Sequence, residues 1–248
     1  MAKYELIKNA HLDGDEFFYE GSTKTGLLLL HGFTATTTEV RLLAECLVKT
    51  GYTITAPLLP GHGTHPDDLN KVRWQDWVDH AETAYLALKE KVDDVVVGGE
   101  SMGGLVALMM AARHPEIKGV MTFAPAIKVP LLWLSPVIAL FTKWLKKENK
   151  DDGLAWKGYL VNPSKGAVQL LKLQKTVKQE LPKIRQPLLL VTGGYDRTIA
   201  PESKEILLEK VGSQKIVSVH MAHSGHCIIL DKELPDVCQL ARDFISGL

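Results

Sequence analysis

Short apolar runs that do not alternate with polar residues recur along this chain, with stretches of helical spacing between them. Gly26-Leu27-Leu28-Leu29-Leu30-His31-Gly32, Asp94-Val95-Val96-Val97-Gly98 and Pro187-Leu188-Leu189-Leu190-Val191-Thr192 are the clearest runs, and residues 117–124 and 215–219 repeat the pattern. A strand that does not alternate is buried on both faces, which requires layers of helix on either side of it. The helical stretches are 39–50, 74–91, 101–114, 203–211 and 232–246. In the first, Val40, Leu42, Leu43, Leu47 and Val48 precede Gly51, a stop signal. Residues 52–56 read as one more strand, ended by Pro57. Strands alternating with helices of this length predict βαβ units, a mostly parallel central sheet and an α/β fold.

The chain has 248 residues, of which 46% are hydrophobic and 23% charged. One large domain of about 250 residues fits this length, and the composition excludes a disordered chain. Twenty-nine basic residues balance 29 acidic ones, so no electrostatic footprint for nucleic acid exists. Cys46, Cys227 and Cys238 are odd in number and contain no C-x-x-C, so three reduced thiols in a reducing, cytoplasmic compartment are expected. The first eight residues include charges and lack an apolar leader segment, and no run of 18 apolar residues is present. Neither a secretory signal nor a membrane span is therefore expected.

One stretch breaks the rhythm. From residue 125 to about 185 no buried strand is legible, and Leu, Trp, Lys and Pro are frequent. Because core strands lie on both sides, this part reads as an insertion: a core of 1–124 and 186–248, with a cap at 125–185. Residues 129–141 are almost wholly apolar, and Lys143, Trp144, Lys146 and Lys147 follow. Thirteen residues are too few to span a bilayer. Two readings stay open: a cap helix packed on the core, or a lid. In the second, Leu132 and Leu134 line an acyl pocket and the basic, aromatic flank touches a lipid surface transiently.

Gly99-Glu100-Ser101-Met102-Gly103 is a G-x-S-x-G pattern that follows a buried strand and opens a helix. In that setting it is a nucleophile elbow: the hydroxyl projects from a sharp strand-to-helix turn, and unpaired helix N–H groups stand ready for an oxyanion. A serine needs a base, and the partners are expected in the order Ser, acid, His. Asp196 lies after the run at 187–192, and His226 lies after the run at 215–219. Both fall at the carboxyl edge of the sheet, where Ser101 stands. His226 would take the serine proton and Asp196 would fix its tautomer. His220 and His223 are rivals for the base. The oxyanion donors are expected to be the N–H of Met102, after the nucleophile, and that of Phe33, in the loop after the first core strand. The Phe33 ring either packs on the core or lines the acyl pocket.

His62, His65, Asp67 and Asp68 lie close in sequence, but in a glycine-proline loop with no helix to aim both histidines, so no metal is expected. The glycine pairs 98–99 and 103–104 lack both G-x-G-x-x-G and a phosphate-binding lysine. An aspartate at position 101 would have indicated dehalogenase or epoxide chemistry; the serine indicates acyl transfer.

Several further segments carry a resemblance: His31-Gly32-Phe33-Thr34, Gly51-Tyr52, Pro60-Gly61-His62-Gly63-Thr64-His65-Pro66, Trp74-Gln75-Asp76-Trp77, the elbow through Gly104, His114-Pro115 and Ser224-Gly225-His226. Together they resemble the bacterial carboxylesterase and monoacylglycerol lipase group of the α/β-hydrolases. The resemblance covers nearly the whole chain and is weakest at 130–181. It implies a cofactor-free serine hydrolase with a small cap. The implied substrate is a small-molecule carboxylic ester of short to medium acyl chain or a monoacylglycerol. Thioester and lactone hydrolysis use the same triad. A non-enzymatic ligand receptor of this fold would show a broken triad. Glu100, at the variable position of the elbow, receives no role.

Overall fold

The computed structural model describes residues 6–147 and 153–248. Residues 1–5, on which part of the reading of a missing leader rests, lie outside the described residues. Two short strands come first, β1 (Ile7–Lys8) and β2 (Phe17–Tyr19). β3 (Thr25–Leu30) is buried from Gly26 onward, as its unbroken apolar run requires. α1 (Thr38–Val48) buries Val40, Leu43, Ala44 and Leu47 on one face. After Gly51 the chain enters β4 (Thr53–Ala56). α2 (Pro66–Leu69) begins with proline at its first turn, and the His65 side chain accepts the Asp67 N–H as its cap. α3 (Trp74–Lys89) turns Trp77, Val78, Ala81, Tyr85 and Leu88 inward.

β5 (Asp94–Glu100) and α4 (Met102–Arg113) form the centre of the molecule. Every residue of β5 after Asp94 is buried, and so are the first ten of α4. β6 (Gly119–Phe123) is wholly buried. Then come α5 (Ser135–Phe141), β7 (Trp144–Lys146), β8 (Gly158–Tyr159), β9 (Val161–Pro163) and α6 (Ser164–Glu180). The chain closes with β10 (Leu188–Gly193), α7 (Glu202–Lys210), β11 (Ile216–Met221) and α8 (Leu234–Ser246).

Seven strands form the central sheet in the order β11-β10-β6-β5-β3-β4-β2. All pairs are parallel except β2 with β4. This is the mostly parallel α/β sheet the alternation predicts. Its carboxyl edge gathers the loops after β3, β5, β10 and β11, where the candidate residues sit.

Three expectations change. The run at 215–219 is not buried like the others: β11 is the edge strand, with nothing among the described residues paired beyond it, and Val217 is 42% exposed. The cysteines are not three thiols. Cys46 on α1 and Cys238 on α8 form a disulfide, with 6.3 Å between their Cα atoms, and Cys227 stays outside it. Disulfides are rare in reducing compartments, so the cysteines no longer point to one. Finally, the described residues between 125 and 185 carry more regular structure than their composition suggests. β8 pairs with β1 and β7 with β9, and α6 buries Leu170, Leu171, Leu173 and Val177. Those residues sit at helical spacing, yet lysines and glutamines fill the remaining positions and lower the contrast between faces. Among the described residues, no helix is long and apolar enough to cross a membrane.

Candidate active site

Ser101 stands between β5 and α4 with φ 54° and ψ −112°, a left-handed backbone that a residue with a Cβ rarely adopts. Surrounding contacts hold it there. Its N–H donates to Phe123 O at 2.9 Å, and its carbonyl accepts from Leu105 N at 3.3 Å and Ala126 N at 3.1 Å. Strain of this kind persists only where neighbours over-determine it, and it concentrates at functional sites. The elbow also requires glycine at 103, since a Cβ there would lie 2.0 Å from Leu30 O.

His226 follows β11, and its Nδ1 lies 2.9 Å from Asp196 Oδ2, in the loop after β10. The Asp196 carboxylate can only accept, so Nδ1 carries the proton and Nε2 is left with its lone pair. Asp196 Oδ1 takes the N–H groups of Thr198 at 2.7 Å and Ile199 at 3.0 Å. Burial raises the affinity of Asp196 for a proton. The hydrogen bond and charge of His226, with the two backbone donors, outweigh burial and hold the carboxyl below its usual range. The rivals stand elsewhere: His220 is exposed with Nδ1 3.0 Å from Thr192 Oγ1, and His223 is exposed on the same loop as His226.

Ser101 and His226 line one cavity of about 620 Å³. Its walls are mostly apolar and include Val129, Leu132, Leu134, Ile138, Leu145 and Leu170. Volumes of this order suit a small ligand. Leu132 and Leu134 thus reach the same space as Ser101. Phe33 lines it as well, while its ring packs edge-on against Trp77 and His62 at 6.3 and 6.4 Å. The ring therefore packs on its neighbours while the residue borders the cavity. Among the described residues, neither Phe33 N–H nor Met102 N–H donates to a protein acceptor, so both suit an oxyanion. Gly32 N–H is taken by Glu39 Oε2 and is not available.

Among the described residues, no group of three or more His, Cys, Asp and Glu side chains could hold a metal ion. His62 is buried with Nδ1 3.0 Å from Leu59 O, and His65 caps α2. Burial, followed by the neighbouring His31, holds His62 well below its usual range, so it stays neutral. Its neighbour His31 is pushed down to about 4, again mainly by burial, and accepts the Leu59 N–H at Nε2.

The chain matches, over residues 21–155, the family model described as serine aminopeptidase, S33. It belongs to this serine hydrolase family. A thermostable monoacylglycerol lipase of Bacillus sp. strain H-257 is 30% identical over 239 residues, covering 95% of this chain and 96% of that protein. A carboxylesterase of Bacillus subtilis strain 168 is 31% identical over 238 residues, covering 94% and 96%. A solved structure from work on the metagenome-derived lipolytic enzymes LipS and LipT superposes with a TM-score of 0.90 at 26% identity, covering 95% and 98%. The resemblance read from the motifs and the α/β-hydrolase architecture both stand.

Sequence reasoning passed over two buried carboxylates near this cavity. Glu39 lines the cavity, and both Glu39 and Glu100 are buried. For Glu39 the available signal was a carboxylate in the first turn of α1, one turn after the Gly32 loop. Glu100 was visible, but nothing in the elbow pattern assigns a role to that position.

Proposed function

We propose that this chain hydrolyses carboxylic esters of short to medium acyl chain, with Ser101 as nucleophile, His226 as base and Asp196 as its anchor. The observation that carries the reading is the His226–Asp196 hydrogen bond of 2.9 Å at the wall of the cavity that Ser101 also lines. His226 Nε2 takes the Ser101 proton as Oγ attacks the ester carbonyl. The N–H groups of Phe33 and Met102 receive the oxyanion, and His226⁺ returns the proton to the leaving alcohol. Water then repeats the sequence on the acyl-enzyme. The residues at 125–185 act as a cap over this chemistry. No cofactor takes part.

Monoacylglycerols are the second reading, and the surface of the cap favours it. Leu132, Leu134 and Ile138 line the cavity, while Leu131, Trp133, Val137, Leu140 and Phe141 face solvent. Leu140 is 79% and Phe141 83% exposed. An apolar outer face beside Lys143 and Lys146 suits transient contact with a lipid surface.

A panel of esters graded in acyl length, with monoacylglycerols included, tests both readings. Replacing Leu132 and Leu134 with Ser should lower kcat/KM about tenfold or more on medium-chain esters, given about 1–3 kcal/mol for lost apolar contact, and spare acetate esters. Adsorption to lipid vesicles should weaken in Leu140→Ser. Equal losses on short and medium chains, with no vesicle adsorption by the parent protein, would reduce the segment to a packed cap.

A further inference from the structure

Carboxylates hold the loop of His226 residue by residue. His223 N–H and the Ser224 hydroxyl donate to Glu233 Oε2 at 2.9 and 2.6 Å. Gly225 N–H donates to Asp231 Oδ2 at 2.7 Å, and His226 Nδ1–H to Asp196. The Cys227 thiol lies 3.8 Å from Glu39 Oε1, and Ile228 N–H donates to Glu100 Oε1 at 2.6 Å. Glu233 and Asp231 follow the loop in sequence and are partly exposed. Glu39 and Glu100 come from distant elements, α1 and the end of β5, and are 4% and 0% exposed.

Buried carboxylates are costly, and these two interact unfavourably with each other. Their placement explains why they are there. Glu39 accepts the N–H of Gly32, directly before the oxyanion donor Phe33, with one oxygen and faces the residue after His226 with the other. Gly32 allows the approach: a Cβ there would lie 2.9 Å from Glu39 Oε2 and 3.3 Å from Ser101 Cβ. Glu100 precedes Ser101 and grips the backbone two residues after His226. Each glutamate therefore ties two pieces of the reaction centre that no secondary structure joins.

We infer that Glu39 and Glu100 are positioning residues for the hydrolysis, Glu39 locking the oxyanion loop against the histidine loop and Glu100 locking the histidine loop to the nucleophile strand. This rests on the serine-hydrolase reading above. Burial and the neighbouring Glu39 push Glu100 well above the usual carboxylate range. Burial raises Glu39 as well, while Gly32 N–H, His226 and Lys147 oppose the rise. The groups around His226 are Asp196 at Nδ1, Glu39 from α1, Glu100 behind Ser101, Asp231 and Glu233 along its own loop, and Lys147 on the Thr34 hydroxyl. An anion at Glu39 favours the imidazolium that forms during the reaction.

The test is steady-state kinetics from pH 5 to 9 on Glu39→Gln, Glu39→Ala, Glu100→Gln and Glu100→Ala, normalised to sites titrated with a fluorophosphonate. Glu39→Ala should lower kcat about 10–100-fold with KM nearly unchanged, since displacing an oxyanion donor costs less than deleting one. Glu39→Gln keeps an acceptor for Gly32 but not the charge. It should hold most of kcat at the plateau and move the acid limb to lower pH, because less anionic charge makes His226 harder to protonate. Glu100→Gln keeps an acceptor for Ile228 N–H and should lose less of kcat than Glu100→Ala, which should fall about tenfold. Variants that lose only thermal stability, with kcat per titrated site and the acid limb unchanged, would overturn the inference. If the alanine variants do not fold, the acid limb of Glu39→Gln decides alone. A parent protein that takes up no fluorophosphonate would instead reject the serine-hydrolase reading itself.

Discussion

Ser101→Ala should lower kcat about 10⁴–10⁶-fold on any ester the parent cleaves, because what remains comes from binding and the oxyanion donors alone. The fold should survive. The hydroxyl is not what holds the elbow: Ser101 is fixed through its backbone to Phe123, Leu105 and Ala126, and alanine keeps those bonds. KM should change little, since the nucleophile contributes to the transition state and not to ground-state binding. Stopped-flow or steady-state hydrolysis with a chromogenic ester measures this directly. A folded variant retaining more than about a tenth of parental activity would remove Ser101 from the mechanism.

His226→Ala should be nearly as damaging, since a serine without its base is a weak nucleophile and the two act as a unit. His223→Ala is the control. Its side chain is exposed, and the bond that fixes the loop there comes from its backbone N–H, which alanine keeps. Activity within about twofold of the parent is expected, as for other exposed substitutions away from a site. Activity of the parent should also fall on the acid side as His226 takes a proton, because an imidazolium has no lone pair for the serine proton. Asp196 cannot be the source of that limb: held below its ordinary range, it stays ionised until the pH is lower still. A dead His223→Ala beside an active His226→Ala would reverse the assignment.

The parts of the fold that were legible are those where one physical pattern acts alone. β3, β5, β6 and β10 are buried on both faces, so their sequences are unbroken apolar runs, and α1 and α3 show one apolar face each. β11 was misjudged because Ile216, Val217 and Val219 look like the core strands, and only its place at the sheet edge leaves Val217 in water. The helix at Ser164–Glu180 was missed because its exposed lysines and glutamines dilute the face that buries Leu170, Leu173 and Val177. The disulfide joins residues 192 positions apart, and nothing local in either segment signals it.

The candidate site followed the same division. Ser101 and Asp196 follow legible buried strands, and His226 follows β11, whose strand character was legible though its burial was not, so chain order and sheet topology suffice to bring them to one edge. Glu39 could not be found that way. Its role depends on where α1 sits relative to Gly32 and Cys227, which is a property of tertiary packing. The same holds for Asn162, Ser164 and Leu170, which reach the cavity from a part of the chain whose pattern was not legible.

The central claim is that Ser101 is an activated nucleophile, and covalent labelling tests it without knowledge of the natural substrate. The purified chain is incubated with a fluorophosphonate, and intact mass and peptide mapping locate the adduct. A single adduct on the peptide bearing Ser101 is expected, absent in Ser101→Ala and slowed at least about a hundredfold in His226→Ala. An adduct on another residue, or ester hydrolysis that continues with Ser101 unmodified, would contradict it.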